Sequence, residues 1–325
     1  MEAGARMKKI LACLLLLSVF RAPGLYAQEA PLRTYTLKDG STLAYPKPGL
    51  WHTIGSGPSD LGLFVKEGFK KENLPWLGAI GASTVLLIQY DQRIYTGTKK
   101  TGRKLGISSK DNTKTYLKVS GVSVFRGPSD LGSALYFLGD GWVNIGLFAY
   151  FETYGRIKGD WRAAQTGHQL AEGLLVTGFT SQVMKRITGR ETPRAATAAR
   201  GVWRMFPSFK DFQSHRTRYD AFPSGHLATC MMSVTVLAGN YPDKTYIKPL
   251  GYALVGALGF QMVNNGVHWA SDYPLGLAVG YGIGKAIVHG KTAAKRTGPA
   301  APQALSFGPY LSPEGAVGAS LAYRF

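Results

Sequence analysis

Phe222-Pro223-Ser224-Gly225-His226 stands past the middle of the chain, and His268-Trp269-Ala270-Ser271-Asp272 follows about forty residues later. A Pro-Ser-Gly turn ahead of a histidine reads as the entry to a helix. The second histidine has an aspartate four residues on, a spacing that puts both on one side of a helix. Imidazole titrates near neutrality, so two histidines of this kind suit proton transfer and nucleophilic attack. Neither segment alone says much, since His-x3-Asp pairs and Pro-Ser-Gly turns are common structural features. Their joint occurrence carries the signal.

Upstream, Lys185 ends one predicted helix and opens Lys185-Arg186-Ile187-Thr188-Gly189-Arg190-Glu191-Thr192-Pro193. In order and spacing, roughly residues 130–290 resemble the type 2 phosphatidic acid phosphatase (PAP2) superfamily. That superfamily includes bacterial acid phosphatases, lipid phosphatases and vanadium haloperoxidases. The resemblance implies an all-α fold, a PAP2-like helical bundle of about six core helices, here with short terminal β-hairpins. It assigns His268 as the nucleophile that becomes a phosphohistidine, and His226 as the acid that protonates the leaving oxygen. Asp272 would hold the imidazole N–H and balance its developing charge. Ser224 and the Gly225 N–H would donate to phosphate oxygens, with Lys185 as a fixed cation.

The chain departs from that pattern at two places. Where the family carries phosphate-binding arginines, this chain has Thr192 and Met262. Each arginine normally gives bidentate, charge-assisted hydrogen bonds. Losing one such donor costs about 2.7–4 kcal/mol of transition-state stabilisation. Arg190 is the first candidate to replace them at the phosphate, with Arg186, Arg194, Arg216 and Arg218 also near in sequence. Asn264 and Asn265 are further candidate donors. The expected function is an exported, acid-phosphatase-like hydrolase of phosphomonoesters or lipid (pyro)phosphates. Two alternatives stay open. One is a non-catalytic protein that keeps the fold and an anion or lipid pocket. The other is a vanadate-dependent haloperoxidase or a phosphotransferase.

Composition agrees with an anionic partner. The 325 residues carry 38 Lys and Arg against 19 Asp and Glu, a formal charge of +19. Such a balance favours phosphorylated lipid or small-molecule substrates and anionic membrane surfaces. Residues 1–27 read as a signal peptide: Lys8 and Lys9, an apolar run from Ile10 to Phe20, and Leu25-Tyr26-Ala27 at the cleavage site. Export to the periplasm argues against a nucleic-acid partner. Cys230 is then the only mature cysteine, so no intrachain disulfide forms. No cofactor is implied, and no metal, because His215, His226 and His268 lack a second ligand at zinc-like spacing.

The organisation divides at 28–60, 61–290, 291–303 and 304–325. The first piece holds a hairpin around Asp39-Gly40 and a Pro/Gly/Ser-rich loop. The second is the helical domain, with helices expected at Leu131–Tyr154, Gln165–Lys185, His226–Asn240, Pro249–Gly266 and Pro274–His289. The third is a Lys/Ala/Pro linker. The fourth is a β-hairpin that could pair with residues 33–45. Leu74–Tyr90 is the most apolar helix candidate but is short for a span. Mean hydropathy, −0.05, is too low for a chain made mostly of spans, so a periplasmic, membrane-associated protein is expected, with an integral membrane protein as the alternative. Residues 91–118 are strongly basic and read as a solvated loop. Gly-Pro-Ser-Asp-Leu-Gly occurs at 57–62 and again at 127–132, read as two similar helix caps.

Overall fold

The computed structural model describes residues 31–290, 294–298, 305–311 and 317–323. The leader at 1–27 lies outside them. The chain divides into units Met1–Leu32 and Arg33–Phe325, and the second carries the fold. After β1 (Leu32–Thr36) and β2 (Thr42–Pro46) come α1 (Leu50–Gly55), α2 (Gly57–Gly68) and α3 (Leu74–Lys104). A hairpin, β3 (Thr113–Val119) and β4 (Val122–Pro128), leads to α4 (Leu131–Phe137), α5 (Gly141–Lys158) and α6 (Trp161–Thr188). The short α7 (Phe209–Ser214) precedes α8 (Gly225–Asn240), α9 (Ile247–Asn264) and α10 (Tyr273–His289). β5 (Lys295–Thr297), β6 (Leu305–Leu311) and β7 (Val317–Tyr323) follow. The fold is all-α, with short hairpins at its termini.

Helix α8 is the hub. One face buries Ala228, Met232 and Val236 against Leu170 and Val176 of α6 and Val279, Ile283 and Ile287 of α10. The other packs Leu227, Cys230 and Val234 on Val255, Leu258 and Met262 of α9. Leu61 and Phe64 of α2 and Leu147 and Phe151 of α5 close the first cluster. Glycine sets how near α10 approaches: a Cβ on Gly280 would lie 2.1 Å from the Ala228 carbonyl oxygen. One turn earlier, a Cβ on Gly276 would lie 2.7 Å from that of Ser224. The Phe222–His226 turn therefore sits directly on the start of α10.

Several expectations change. The 46–60 stretch is not a loop: α1 lies within it, and Pro58 sits in the first turn of α2, where its missing N–H is not needed. The basic stretch is not a loop either. Helix α3 runs on to Lys104, and β3–β4 follows, turned by Ser120 and Gly121 at φ 48° and 81°. Two successive positive φ values suit a tight hairpin. The helix expected over 131–154 breaks between Phe137 and Gly141, and Asp140 caps the new helix through the Trp142 N–H at 2.9 Å. The repeated hexapeptide takes two conformations: Asp130 is a true N-cap of α4, whereas Asp60 lies inside α2 and is buried. Within the supposed linker, β5 pairs with β2, Thr42 facing Thr297, while β6 pairs with β7. Among the described residues no helix is long and apolar enough to cross a membrane.

Candidate active site

Lys185 lies in the last turn of α6, before Gly189 ends the helix at φ 54°. Its side chain is buried, and Nζ stands 2.9 Å from Asp220 Oδ1. Ser224 caps α8, its hydroxyl oxygen accepting from the Leu227 N–H at 3.4 Å. The first-turn N–H groups of Gly225 and His226 have no intrahelical carbonyl, so the helix start favours an anion. A Cβ on Gly225 would fall 3.7 Å from Lys185 Nζ. The Gly225 backbone thus stands directly beside the ammonium.

His268 follows α9 and is 1% exposed. Its Nδ1 lies 2.6 Å from the Ala221 carbonyl oxygen and 3.4 Å from Asp272 Oδ2. A carbonyl only accepts, so Nδ1 carries the proton and Nε2 keeps the lone pair. Asp272 is not one α-helical turn beyond His268, because a short 3-10 turn, Ala270–Asp272, intervenes. The carboxylate folds back to accept from the Trp269 N–H at 2.7 Å. The Ser224 N–H donates to the Asp272 carbonyl at 3.0 Å, tying the two motifs together.

His226 stands across from His268, ring centroids 6.2 Å apart. Tyr136 of α4 covers it at 5.0 Å. The α4–α5 break has a purpose here: a Cβ on Gly139 would sit 2.6 Å from His226 Cβ. His226 is half-buried. Desolvation first, then repulsion from His268 when it is protonated and from Lys185, push its pKa down to about 3, with Asp220 opposing. Burial raises the Tyr136 hydroxyl to about 12; Asp111 adds to this and Arg194 opposes it.

Arg190, the first candidate for the phosphate, is taken up by buried carboxylates instead. It is wholly buried, with Nη1 donating to Asp272 Oδ1 at 2.6 Å and Nη2 to Asp91 Oδ2 at 2.7 Å. Trp203 and Trp269 flank the guanidinium. Asp91, from the middle of α3, also accepts from the Ser271 N–H and hydroxyl. Asp91–Arg190–Asp272 is thus a buried charge chain ending beside His268. The sequence hid it: Asp91 looked like the border of a basic loop.

Both positions of the missing arginines serve other ends. Thr192 donates its N–H and hydroxyl to the Thr217 carbonyl at 2.9 and 3.0 Å. Met262 is fully buried in the α8–α9 cluster. The Asn264 amide is held by the Ser108 carbonyl at 3.1 Å. Arg194 differs. Its backbone N–H donates to the Gly266 carbonyl at 3.0 Å, its side chain is exposed, and its charge bears on Tyr136 and Asp111. It is a cation just past the motif that lost its arginine, and Tyr136, on which its charge bears, covers His226. Among the described residues no three His, Cys, Asp or Glu side chains are grouped to hold a metal.

The family model of the PAP2 superfamily matches residues 167–296. That segment belongs to the PAP2 superfamily. It holds Lys185, His226, His268 and Asp272, whereas Asp91 and Tyr136 lie outside it. A curated relative, the lipid A 1-phosphatase of Porphyromonas gingivalis, is 32% identical over 79 residues, 24% of this chain and 18% of that protein. The chain therefore matches under a fifth of the relative's length. The crystal structure of Aquifex aeolicus LpxE aligns at TM-score 0.36 and 17% identity, over 48% of this chain and 82% of that one.

Proposed function

We propose that the chain hydrolyses a phosphate or pyrophosphate group of a lipid through a phosphohistidine on His268. The observation that carries this is the fixed tautomer: Ala221 and Asp272 hold the Nδ1 side, leaving Nε2 as a nucleophile. Nε2 attacks phosphorus and the bond to the leaving oxygen breaks. His226 gives that oxygen a proton. Asp272 balances the imidazolium, as the third member of a triad does. Water then attacks phosphorus, His226 takes its proton, and the P–N bond breaks to restore His268. Lys185, the α8 N-terminus and Arg194 supply positive charge for the equatorial oxygens.

Its depressed pKa keeps His226 neutral near pH 7. The charge of an arriving phosphate restores its proton, so the acid is armed by its substrate. The PAP2 segment and the stretch shared with a lipid A 1-phosphatase support a lipid phosphate as substrate class. The leader-like residues 1–27 support export, with hydrolysis outside the cytoplasm.

The test is phosphate release from lipid phosphates in mixed micelles and from a soluble aryl phosphate, with His268→Ala as control. Brief incubation with labelled substrate should trap an acid-labile, alkali-stable phosphoenzyme that His268→Ala lacks. Release that survives His268→Ala would refute the mechanism. A binding protein remains the second reading, because Lys185 is already paired with Asp220. It predicts phosphate binding without release.

A further inference from the structure

The segment from Arg200 to Phe209 takes no part in the chemistry yet adjoins it. Trp203 packs at a tilt against Phe222 of the Pro-Ser-Gly turn, ring centroids 5.1 Å apart, and the Arg200 carbonyl accepts from Arg190. The Arg204 and Phe206 N–H groups donate to the carbonyls of Gly189 and Ile187, so the segment is pinned to the end of α6. From this anchored base Met205, Phe206 and Phe209 are 62%, 71% and 72% exposed. Phe206 holds φ 52°, a region bulky residues seldom adopt. Large apolar side chains displayed together in this way mark an interaction site.

Two observations identify the occupant. From Arg200 to Arg218 the chain carries Arg200, Arg204, Lys210, Arg216 and Arg218 against one acid, Asp211. Beside the segment lies a shallow groove of about 640 Å³ where α3 meets residues 199–200. Arg93, Lys100 and Arg200 line it, with no carboxylate among its lining residues. Along α6, Leu175, Phe179, Val183 and Ile187 form an exposed apolar row four residues apart, leading to the same end. Exposed apolar side chains next to a cation-lined groove match the interface of an anionic bilayer, where hydrocarbon lies under negative headgroups.

We infer that Met205, Phe206 and Phe209 insert into an anionic lipid surface while the Arg93–Lys100–Arg200 groove receives headgroup phosphates, seating the histidine pair at the membrane interface. This rests on the lipid-phosphate reading for its purpose, but its test does not need turnover. The full-length protein is spun with vesicles of phosphatidylcholine alone, or with a third of it replaced by phosphatidylglycerol. Wild type and His268→Ala should both bind the anionic vesicles. Met205→Asp with Phe206→Asp should weaken partition by about tenfold or more. Aspartate tolerates positive φ, so the turn is not strained. Phe206→Leu should keep binding. Arg93→Ala and Lys100→Ala should each lose about fivefold, on the anionic vesicles only.

Hydrolysis of a soluble aryl phosphate by these variants should equal that of wild type. Unchanged partition of the double aspartate variant would overturn the inference. So would equal binding of wild type to both vesicles, or loss of aryl phosphate hydrolysis in the double variant. If wild type releases no phosphate from any substrate yet shows this partition pattern, the catalytic reading fails and the membrane surface stands.

Discussion

Asp91→Asn tests the buried charge chain most directly. Asp91 and Arg190 are both inaccessible and 2.7 Å apart, and Arg190 also holds Asp272. At an effective dielectric of about 20, opposite charges near 4 Å attract by about 4 kcal/mol. Removing one partner of a buried pair generally costs about 3–5 kcal/mol, because the other charge is left behind. Asparagine keeps the shape but turns an N–H toward either the guanidinium or Ser271, so the contact is not restored. We expect a stability loss of about 3–5 kcal/mol, read as a fall in Tm on the order of 10 °C. Arg190 then shifts, and Asp272 with it. A misplacement on the order of 1 Å can cost about a hundredfold in rate. In steady-state hydrolysis of a soluble aryl phosphate, kcat should drop by about that factor while KM changes little. Native Tm together with native kcat would refute the chain's role in positioning Asp272. A fall in Tm alone would make it structural only.

Further outcomes follow from the same geometry. Arg194→Ala should lower kcat/KM by about 10²–10³ with Tm unchanged, since the side chain is exposed; native kinetics would remove it from the phosphate. Met262→Arg, which restores the family residue, should destabilise the protein by several kcal/mol, because it puts an unpaired charge in the α8–α9 cluster; denaturant unfolding reads this, and higher activity at native stability would contradict it. Binding of inorganic phosphate near neutral pH should take up a proton at His226, whose pKa is held down at about 3; calorimetry in buffers of different ionisation enthalpy detects it, and a buffer-independent heat would refute it. Glu172, buried beside Asp60, is raised to about 9, by burial first and then by Asp60. The folded state therefore keeps a proton that the unfolded chain releases near its ordinary value. Stability should be full below that value and decline toward pH 9, at no more than about 1.4 kcal/mol per pH unit; Glu172→Gln should flatten the decline in unfolding curves taken across that range.

Local pattern carried much of the fold and part of the site. Helices α6, α8, α9 and α10 were legible because their apolar positions recur at helical spacing and their ends carry Gly189, Ser224 and Pro274. His226, His268, Asp272 and Lys185 were legible because a short motif keeps its residues close in sequence. The α4–α5 break and the β3–β4 hairpin were not. Gly139 is needed there only because His226 comes from another helix to meet it, and the hairpin turn uses Ser-Gly rather than Asn-Gly.

What the sequence by itself determined is the helical class, the motif segment and the two histidines, since each rests on neighbours within a few residues. Tertiary structure alone decided what surrounds them. Arg190 looked like a phosphate ligand, yet Asp91, 99 residues upstream, draws it into the interior. The imidazole of His268 is oriented at 2.6 Å by a carbonyl 47 residues away. Charge pairing and tautomer depend on which groups meet in space, and neither leaves a local trace along the chain.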